Sequence, residues 1–354
     1  MEQDAIRKRA FREVDLADPF FDSLKSSYKG FSEWFYRKND ENAYVSYDDN
    51  NMLQAFLYMK REKGPITDIT PPINAPCLKI GTFKINAHGT KLGERFIKII
   101  VDTALSYNFR LIYVTVFDEH EGLTTLLTTY GFYKYGEKIT NDGKECVYIK
   151  DMSKITKNMI SDYPVINSIN KNKWIMSIHP QFHTSLFPDS RLCREGTYIQ
   201  DTCYTNSIHK VYVGCYRNFP RFATGDCVVI YRCQSPGTVN EAWYKSVATS
   251  ICVVEEATPG PRFKGIDDFI DYCKKYSVFD ENELRRQFGR IGVYAVKMLY
   301  NLALSKRINM KSLVEHEIIP SPDQKPYYGL LPLTDDAFVR LLELGEVREG
   351  SVIY

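Results

Sequence analysis

The sequence has no Cys-x-x-Cys pair, although it contains nine cysteines in 354 residues. Zinc ribbons and thioredoxin-like redox sites both need such pairs. An odd number of cysteines in a chain of ordinary domain size also argues against a disulfide framework. We therefore expect reduced thiols.

The sequence also has little net charge and no long apolar run. Lysine and arginine total 46 against 44 aspartates and glutamates, which gives a formal net charge of +2. Such a balance produces no strong overall field, so any polyanion must be bound by a local patch. No run of about 18 apolar residues occurs, and the charged segment 1–14 does not resemble a secretory signal. We expect a soluble, cytoplasmic protein without membrane partners.

The composition, 44% hydrophobic and 25% charged, is that of a globular protein. At about 150 residues per domain, the length predicts two domains. A weakly patterned segment rich in lysine, asparagine and serine marks the boundary. We predict a first domain at 1–155, a linker at 156–173 and a second domain at 174–354.

The first half predicts a mixed sheet flanked by helices. Periodicity and turn residues predict, in chain order, helices near 20–28 and 31–35, a hairpin of 43–47 with 53–60, a strand over 78–86, a helix over 92–107, a strand over 111–117, a helix over 121–129, and strands over 132–138 and 145–149. The strand, helix and strand between 78 and 117 form a right-handed βαβ unit.

The second half predicts short strands separated by turns. They lie over 174–178, 210–215, 226–232, 243–254 and 293–300, with one helix over 266–276. Short strands of this kind favour a small, partly closed β-barrel. The whole chain is therefore predicted to be an α+β protein of two domains.

The turn that follows residue 86 carries the most chemistry. In His88-Gly89-Thr90-Lys91-Leu92-Gly93, a strand passes directly into a helix, and the first backbone N–H groups of that helix favour a phosphate. Gly93 permits the close approach of a pyrophosphate or a neighbouring strand. The alternative is that Gly89 only forms the turn and Gly93 only packs the helix on the sheet. The pattern leaves both interpretations open.

This turn resembles the coenzyme-A loop of the GNAT acetyltransferases, which reads Gln/Arg-x-x-Gly-x-Gly/Ala between a strand and a helix. His88 stands in place of Gln/Arg, Lys91 in place of the first glycine, and Gly93 matches the second. Gly131-Phe132 matches the Gly-Phe that enters the last strands of these enzymes. The resemblance covers about residues 15 to 150. It implies a GNAT-like mixed β-sheet flanked by helices, with acetyl-CoA as the cofactor.

The resemblance also implies which residues contact the cofactor. In the family, the acetyl thioester lies between the two central strands, and a backbone N–H of the strand before the loop holds its carbonyl oxygen. The implied cofactor-binding residues are Phe83, Ile85, His88, Gly89, Thr90, Lys91, Leu92 and Gly93. Leu127 stands where many members have a tyrosine that protonates the leaving thiolate, and leucine has no proton to donate.

His120 and Tyr130 are the candidate catalytic residues. Direct transfer to an amine needs a base for the nucleophile and an acid for the thiolate. His120, with an ordinary pKa near ~6.5, can serve in either role, and Tyr130 is the other candidate acid. The alternatives are an exposed histidine at a helix start and a core aromatic residue.

Cationic and aromatic residues alternate between 210 and 222. We predict that Lys210, Tyr216, Arg217 and Arg221 bind single-stranded nucleic acid, with bases on rings and phosphates on cations. A half-buried strand and loop fits the same letters. The turn Thr224-Gly225-Asp226 resembles the PUA-like superfamily, with its ASCH and EVE modules, over about residues 174 to 340. This implies a small β-barrel with helices that binds RNA or modified bases.

His179 and His183 are four residues apart, as metal ligands on a helix can be. Pro180 lies between them and argues against a helix, and no third ligand follows at a suitable spacing. We expect no metal.

These features predict an acetyl-CoA-dependent N-acetyltransferase that acts on an amine, on an RNA-linked or protein substrate recruited by the second domain. RNA or tRNA is an expected partner. By analogy with toxin–antitoxin architectures, so is a cognate antitoxin or another partner protein. The alternative, which Leu127 favours, is a non-catalytic CoA- or RNA-binding regulatory protein with a degenerate acetyltransferase fold.

Overall fold

The structure is a computed structural model that describes residues 5–86, 91–190, 207–234 and 242–354. The described chain divides into two compact units between Asp162 and Tyr163. This division falls inside the segment 156–173 that the sequence analysis assigns to a linker. The functions assigned to the two domains stay predictions.

The first unit contains a mixed sheet that carries helices. Its elements are β1 (Ile6–Ala10), α1 (Asp22–Ser27), α2 (Phe31–Tyr36), β2 (Asn42–Tyr47), β3 (Leu53–Glu62), β4 (Cys77–Ile85), α3 (Leu92–Ser106), β5 (Leu111–Val116), α4 (Glu121–Thr129), β6 (Tyr133–Thr140) and β7 (Gly143–Asp151). The strand order is β1-β2-β3-β4-β5-β7-β6. Neighbouring strands are antiparallel except β4 and β5, which are parallel.

The mixed sheet predicted for the first half is confirmed. The two early helices, the hairpin and the βαβ unit all form close to their predicted bounds. β1 was not predicted, because its sequence Ile-Arg-Lys-Arg-Ala has no apolar alternation. It pairs with β2 at the edge of the sheet, where the middle of the strand is exposed.

Aromatic packing fixes α1 and α2 on β2 and β3. Phe11 lies edge-on to Phe56, with ring centroids 5.4 Å apart, and Phe21 lies edge-on to Phe35 at 5.4 Å. All four rings are buried. Edge-to-face pairs add about 0.5–1.5 kcal/mol each to the burial of their area, so the α1–α2 turn is held firmly beside the sheet.

The second unit contains a six-stranded sheet and a short two-stranded one. Its elements are β8 (Ile166–Asn167), β9 (Lys173–Ile178), α5 (Pro180–Leu186), β10 (His209–Gly214), β11 (Cys227–Arg232), α6 (Ala242–Lys245), β12 (Val247–Pro259), α7 (Ile266–Cys273), α8 (Glu281–Phe288), β13 (Tyr294–Asn309), α9 (Met310–Glu315), β14 (Leu330–Leu333), α10 (Asp335–Leu344) and β15 (Val352–Ile353). The larger sheet has the order β10-β13-β12-β11-β9-β14, and β8 pairs with β15.

The barrel expected in the second half is not confirmed. β10 and β14 lie at opposite ends of the strand order, and the pairings within the described ranges do not join them. Two of the predicted strands also have different bounds. The segment 242–245 is helical and precedes β12, whereas β13 continues to Asn309. No helix in the described parts of either unit is long and apolar enough to cross a membrane.

Gly131 and Gly122 form a matched pair for testing the first unit. Gly131 has φ +84°, and a Cβ there would lie 2.1 Å from the carbonyl oxygen of Ser161. We expect Gly131→Ala to lower the free energy of unfolding by at least about 2 kcal/mol, through strain and the clash. Gly122 lies in α4 with open space around it, so Gly122→Ala should raise that free energy by about 0.5–1 kcal/mol. Urea denaturation measures both, and equal effects would contradict the structure.

Candidate active site

β4 and β5 are parallel neighbours that pair over only part of their length. Their register runs from Cys77 opposite Leu111 to Ile80 opposite Val114. Beyond that pair, β4 continues to Ile85 and β5 to Val116. The strands therefore separate toward their carboxyl ends.

A bulge in β4 lies where the separation begins. In the register with β3, Tyr58 is opposite Thr82 and Met59 is opposite Ile80, so Gly81 is the extra residue. A Cβ at Gly81 would lie 2.7 Å from Cδ1 of Tyr58. Only glycine leaves room for that ring, and the bulge turns the following residues of β4 away from a regular ladder.

A cavity of about 450 Å³ lies at this separation. Its walls come from both strands, the α1–α2 region, the start of α4 and the β6–β7 hairpin. The lining residues are Leu24, Tyr28, Gly30, Phe31, Trp34, Lys38, Tyr58, Lys60, Lys79, Ile80, Gly81, Thr82, Phe83, Val114, Thr115, Val116, His120, Leu123, Asp142 and Glu145. The cavity belongs entirely to the first unit.

A tyrosine and a buried carboxylate meet on one side of the cavity. The Tyr28 hydroxyl donates to Oε1 of Glu145 at 2.9 Å, and Glu145 is only 4% exposed. Burial, together with the Glu145 charge, raises the pKa of Tyr28 well above its usual value. Tyr28 therefore stays protonated and remains a hydrogen-bond donor at neutral pH.

Lysines line another part of the cavity. Lys38 pairs with Glu41 at 2.6 Å and Lys60 pairs with Glu62 at 3.2 Å. Burial and the nearby Lys138 charge lower the pKa of Lys79. The cavity thus has a cationic part and an acidic part.

The structure places the two candidate catalytic residues differently. His120 lines the cavity at the start of α4, with Nε2 4.0 Å from Oε1 of Glu119. Tyr130 ends α4 and is buried, and it is absent from the part of the described chain that lines the cavity. Leu127 is also buried in the core. His120 is therefore the candidate that can reach a ligand there.

The cofactor-binding prediction falls partly on described residues. Phe83 lines the cavity, and Ile85 ends β4 beyond the last pair with β5. His88, Gly89 and Thr90 lie outside the described residues.

Lys91 immediately precedes α3, which begins at Leu92. A Cβ at Gly93 would lie 2.9 Å from Cδ2 of Leu126, so α3 and α4 pack closely at this glycine. This contact fits the packing interpretation of Gly93, and phosphate binding by the loop stays a prediction.

The predicted nucleic-acid residues divide into exposed and buried ones. Arg221 lies over the Trp174 ring at 5.1 Å and Arg217 over the Tyr327 ring at 5.7 Å, and both arginines are exposed. Tyr216 is partly buried and donates its hydroxyl to a backbone carbonyl. Lys210 is completely buried. A side chain so buried is not available to a phosphate on the surface, so Lys210 does not belong to an exposed binding patch.

The expectation of no helix at Pro180 is wrong. α5 begins at Pro180, because proline suits the first helical position, where its missing N–H would have no partner in the helix. His183 is buried in α5, with Nε2 2.8 Å from Oγ1 of Thr249, and burial lowers its pKa to about 3. It is therefore neutral at physiological pH. In the residues that the structure describes, no three His, Cys, Asp or Glu side chains are grouped to hold a metal ion.

Comparison with known proteins assigns no family to the chain. No family model matches the sequence, and no curated protein matches it. Solved structures do show similarity. Naa20 from Chaetomium thermophilum, in complex with a bisubstrate analogue, is 14% identical with a TM-score of 0.35, and the match covers 44% of this chain and 90% of that one.

Two further solved structures represent the other similarities. A GNAT-family acetyltransferase from Streptococcus agalactiae is 12% identical with a TM-score of 0.30, over 41% of this chain and 95% of that one. The ASCH protein from Zymomonas mobilis is 14% identical with a TM-score of 0.33, over 49% of this chain and 94% of that one.

Lys150 allows a test of the packing around the end of α4. Its Nζ donates to the carbonyl oxygens of Tyr130 at 2.7 Å and Ser161 at 2.9 Å, and burial lowers its pKa to about 8. Between that value and the ordinary 10.5, the unfolded chain binds more protons, so this group makes the fold more stable as the pH rises.

We therefore expect the unfolding free energy of the wild type, relative to that of Lys150→Met, to increase by about 2 kcal/mol from pH 7 to pH 10. Urea denaturation at the two pH values, in the presence of a reductant, measures the shift. The exposed Lys144 provides the control, since Lys144→Met should give a nearly constant difference. A constant difference for Lys150→Met would show that its pKa is not lowered.

Proposed function

We propose that the first unit is an acetyl-CoA-dependent N-acetyltransferase and that the cavity between β4 and β5 takes the acetyl thioester. The supporting observation is that two central parallel strands stop pairing after Ile80 and Val114 and that a cavity lies where they separate. The resemblance of the sequence to GNAT acetyltransferases implies that the thioester lies at this place.

The residues present suit such a cofactor. Beyond Ile80, backbone groups of β4 leave the described ladder with β5, which provides amides for the thioester carbonyl oxygen. Phe83 lines the same cavity. Lys91 immediately precedes α3, and Leu92 and Gly93 are the first residues of that helix. The positive end of α3 is therefore close to the end of β4 and suits a pyrophosphate. We assign His88, Gly89 and Thr90 to the same site by resemblance.

The chemistry that acetyl-CoA supplies when bound is an activated acetyl group. Backbone amides of β4 would polarise the carbonyl of a bound acetyl group. His120 is the side chain that we propose as the proton donor for the departing thiolate, because it lines the cavity and an imidazole can take up and release a proton. Tyr130 is a second candidate for that role, although it is buried at the end of α4.

A non-catalytic CoA-binding protein is the second candidate function. It is favoured by Leu127, which has no proton to donate and is buried in the core. The two functions differ in turnover. A binding protein takes up acetyl-CoA without releasing free thiol, whereas an acetyltransferase releases one thiol for each amine it acetylates.

For the second unit, we propose that Arg217 and Arg221 belong to a surface that recruits RNA or tRNA. Both are exposed. Arg217 lies beside the exposed ring of Tyr327, which suits a phosphate and a stacked base together, whereas the Trp174 ring beside Arg221 is buried. An RNA-linked or protein amine is then the acceptor that we propose. A cognate antitoxin or other partner protein stays a prediction.

The cofactor assignment is tested by reversing one charge at the start of α3. We expect Lys91→Glu to weaken acetyl-CoA binding at least about tenfold, because a carboxylate at the positive end of the helix would repel the pyrophosphate. Lys63→Glu makes the same change in charge at an exposed position just after β3 and should bind as the wild type does. Isothermal titration calorimetry measures both. Equal affinities for the two variants would remove the loop from the site.

The RNA proposal is tested by a double substitution. Arg217→Ala combined with Arg221→Ala should weaken binding of a uridine 20-mer at least about tenfold and reduce the slope of log affinity against log salt by about 1–2, since two phosphate contacts are lost. Arg285 and Arg286 are exposed arginines of α8 that pair with glutamates. Replacing these two by alanine is the control. Filter binding that gives one curve for both double variants would reject the surface.

A further inference from the structure

Glu145 has a buried carboxylate that lines the cavity. It is buried at 4% exposure and lines the cavity wall. Its Oε1 accepts the hydrogen bond from Tyr28. Within the described residues, Oε2 accepts no hydrogen bond and no cationic side chain pairs with Glu145. A buried carboxylate is costly unless it is paired and hydrogen-bonded. The Glu145 carboxylate has one hydrogen bond from the described chain, and its Oε2 is not sealed from solvent, so this oxygen is available to a ligand.

The surroundings of Glu145 favour a cation. Asp142, from the same hairpin, lines the cavity as well. The charges of Glu145, Asp142 and Glu119 all act to raise the pKa of the Tyr28 hydroxyl, which shows a negative field at this end. Phe31 and Trp34 supply aromatic walls, and ring faces attract ammonium groups.

The lining of the cavity is apolar in part. Leu24 and Leu123 belong to it along with the two rings. An ammonium group held at Glu145 therefore has apolar side chains in the same cavity that can pack on an aliphatic stem.

We infer that Glu145 binds the ammonium group of the acceptor, that Tyr28 positions its carboxylate, and that the acceptor is a primary amine on an aliphatic stem. This inference rests on the proposed acetyltransferase function for its catalytic meaning. The ammonium site itself stands on the cavity, the burial of Glu145 and the Tyr28 hydrogen bond.

The arrangement accounts for the protons of the transfer. The ammonium loses one proton to Glu145, which passes it to water. The neutral nitrogen then attacks the thioester carbonyl carbon, so a C–N bond forms and the C–S bond breaks. The second nitrogen proton passes to water as the amide forms. His120 delivers one proton to the thiolate and recovers a proton from water. An amine in its ammonium form and an acetyl thioester thus give an acetamide, a thiol and one proton.

The test uses butylamine as the probe and 1-butanol as its neutral match. Trp34 lines the cavity and is one of three tryptophans. The full chain labelled with 5-fluorotryptophan therefore gives few ¹⁹F signals. The signal that disappears in Trp34→Phe is the Trp34 signal. At pH 7 and constant ionic strength, we expect butylamine to shift the Trp34 signal saturably, whereas butanol should leave it in place. The highest butylamine concentration is about 50 mM, which suits a weak millimolar ligand. Equal shifts with butylamine and butanol, or no shift with butylamine, would overturn the inference.

Three variants connect the shift to Glu145. Glu145→Gln should weaken butylamine binding at least about tenfold, since the charge is lost, and Tyr28→Phe should weaken it a few-fold while keeping the carboxylate. Glu137 lies on the same hairpin in an exposed ion pair with Lys144, so Glu137→Gln should match the wild type. If Glu145→Gln does not fold, Tyr28→Phe alone decides. Wild-type binding in Tyr28→Phe and Glu145→Gln overturns the assignment.

A calorimetric titration of the same samples with acetyl-CoA separates this inference from the proposed function. Glu145→Gln should bind acetyl-CoA as the wild type does. Butylamine binding without acetyl-CoA binding would support the ammonium site and reject the acetyltransferase. Acetyl-CoA binding with no selective response to butylamine would reject the ammonium site and leave the acetyltransferase in place.

Discussion

The first unit depends on the early end of pairing between β4 and β5. Two central parallel strands that stay paired along their whole length would fill the middle of the sheet and leave no cavity. Here Gly81 inserts an extra residue opposite β3, and the Tyr58 ring occupies the space that a side chain at Gly81 would need. The sheet thus gives up regular hydrogen bonds in its interior, which is common where a protein binds a ligand.

The remaining elements support that separation. The aromatic cluster of α1, α2 and β2–β3 holds the α1–α2 turn, and this turn brings Tyr28 to the cavity. The β6–β7 hairpin brings Glu145 to the same place, 117 residues away in sequence. The cavity is therefore formed by segments that the chain order alone does not bring together.

Local patterns were enough to predict most elements of the first unit, because its helices and strands carry clear apolar periodicities. They failed where the signal was not hydrophobic. β1 is mostly charged, and α8 has only one fully buried residue, Leu284, although Asp280 caps it through the backbone N–H of Glu283 and such caps can be recognised in a sequence. Pro180 was interpreted as a helix breaker, whereas it begins α5.

The site was harder to predict than the fold. His120 and Phe83 followed from the family resemblance and both line the cavity. Tyr28 and Glu145 appear in the sequence analysis only inside a predicted helix (20–28) and a predicted strand (145–149), because burial and long-range pairing leave no local pattern. Lys210 shows the reverse error. Alternating cationic and aromatic residues suggested an exposed patch, but Lys210 lies on β10, a strand at one end of the second sheet that is nevertheless buried throughout.

Hydrogen exchange tests the central claim most directly. With acetyl-CoA bound, amides of 81–83 in β4 and 115–116 in β5 should exchange more slowly than in the free protein, since both strand ends would face the thioester. Calorimetric binding of acetyl-CoA that leaves exchange in both segments unchanged would show that the cofactor binds elsewhere, and the account of the cavity would be wrong.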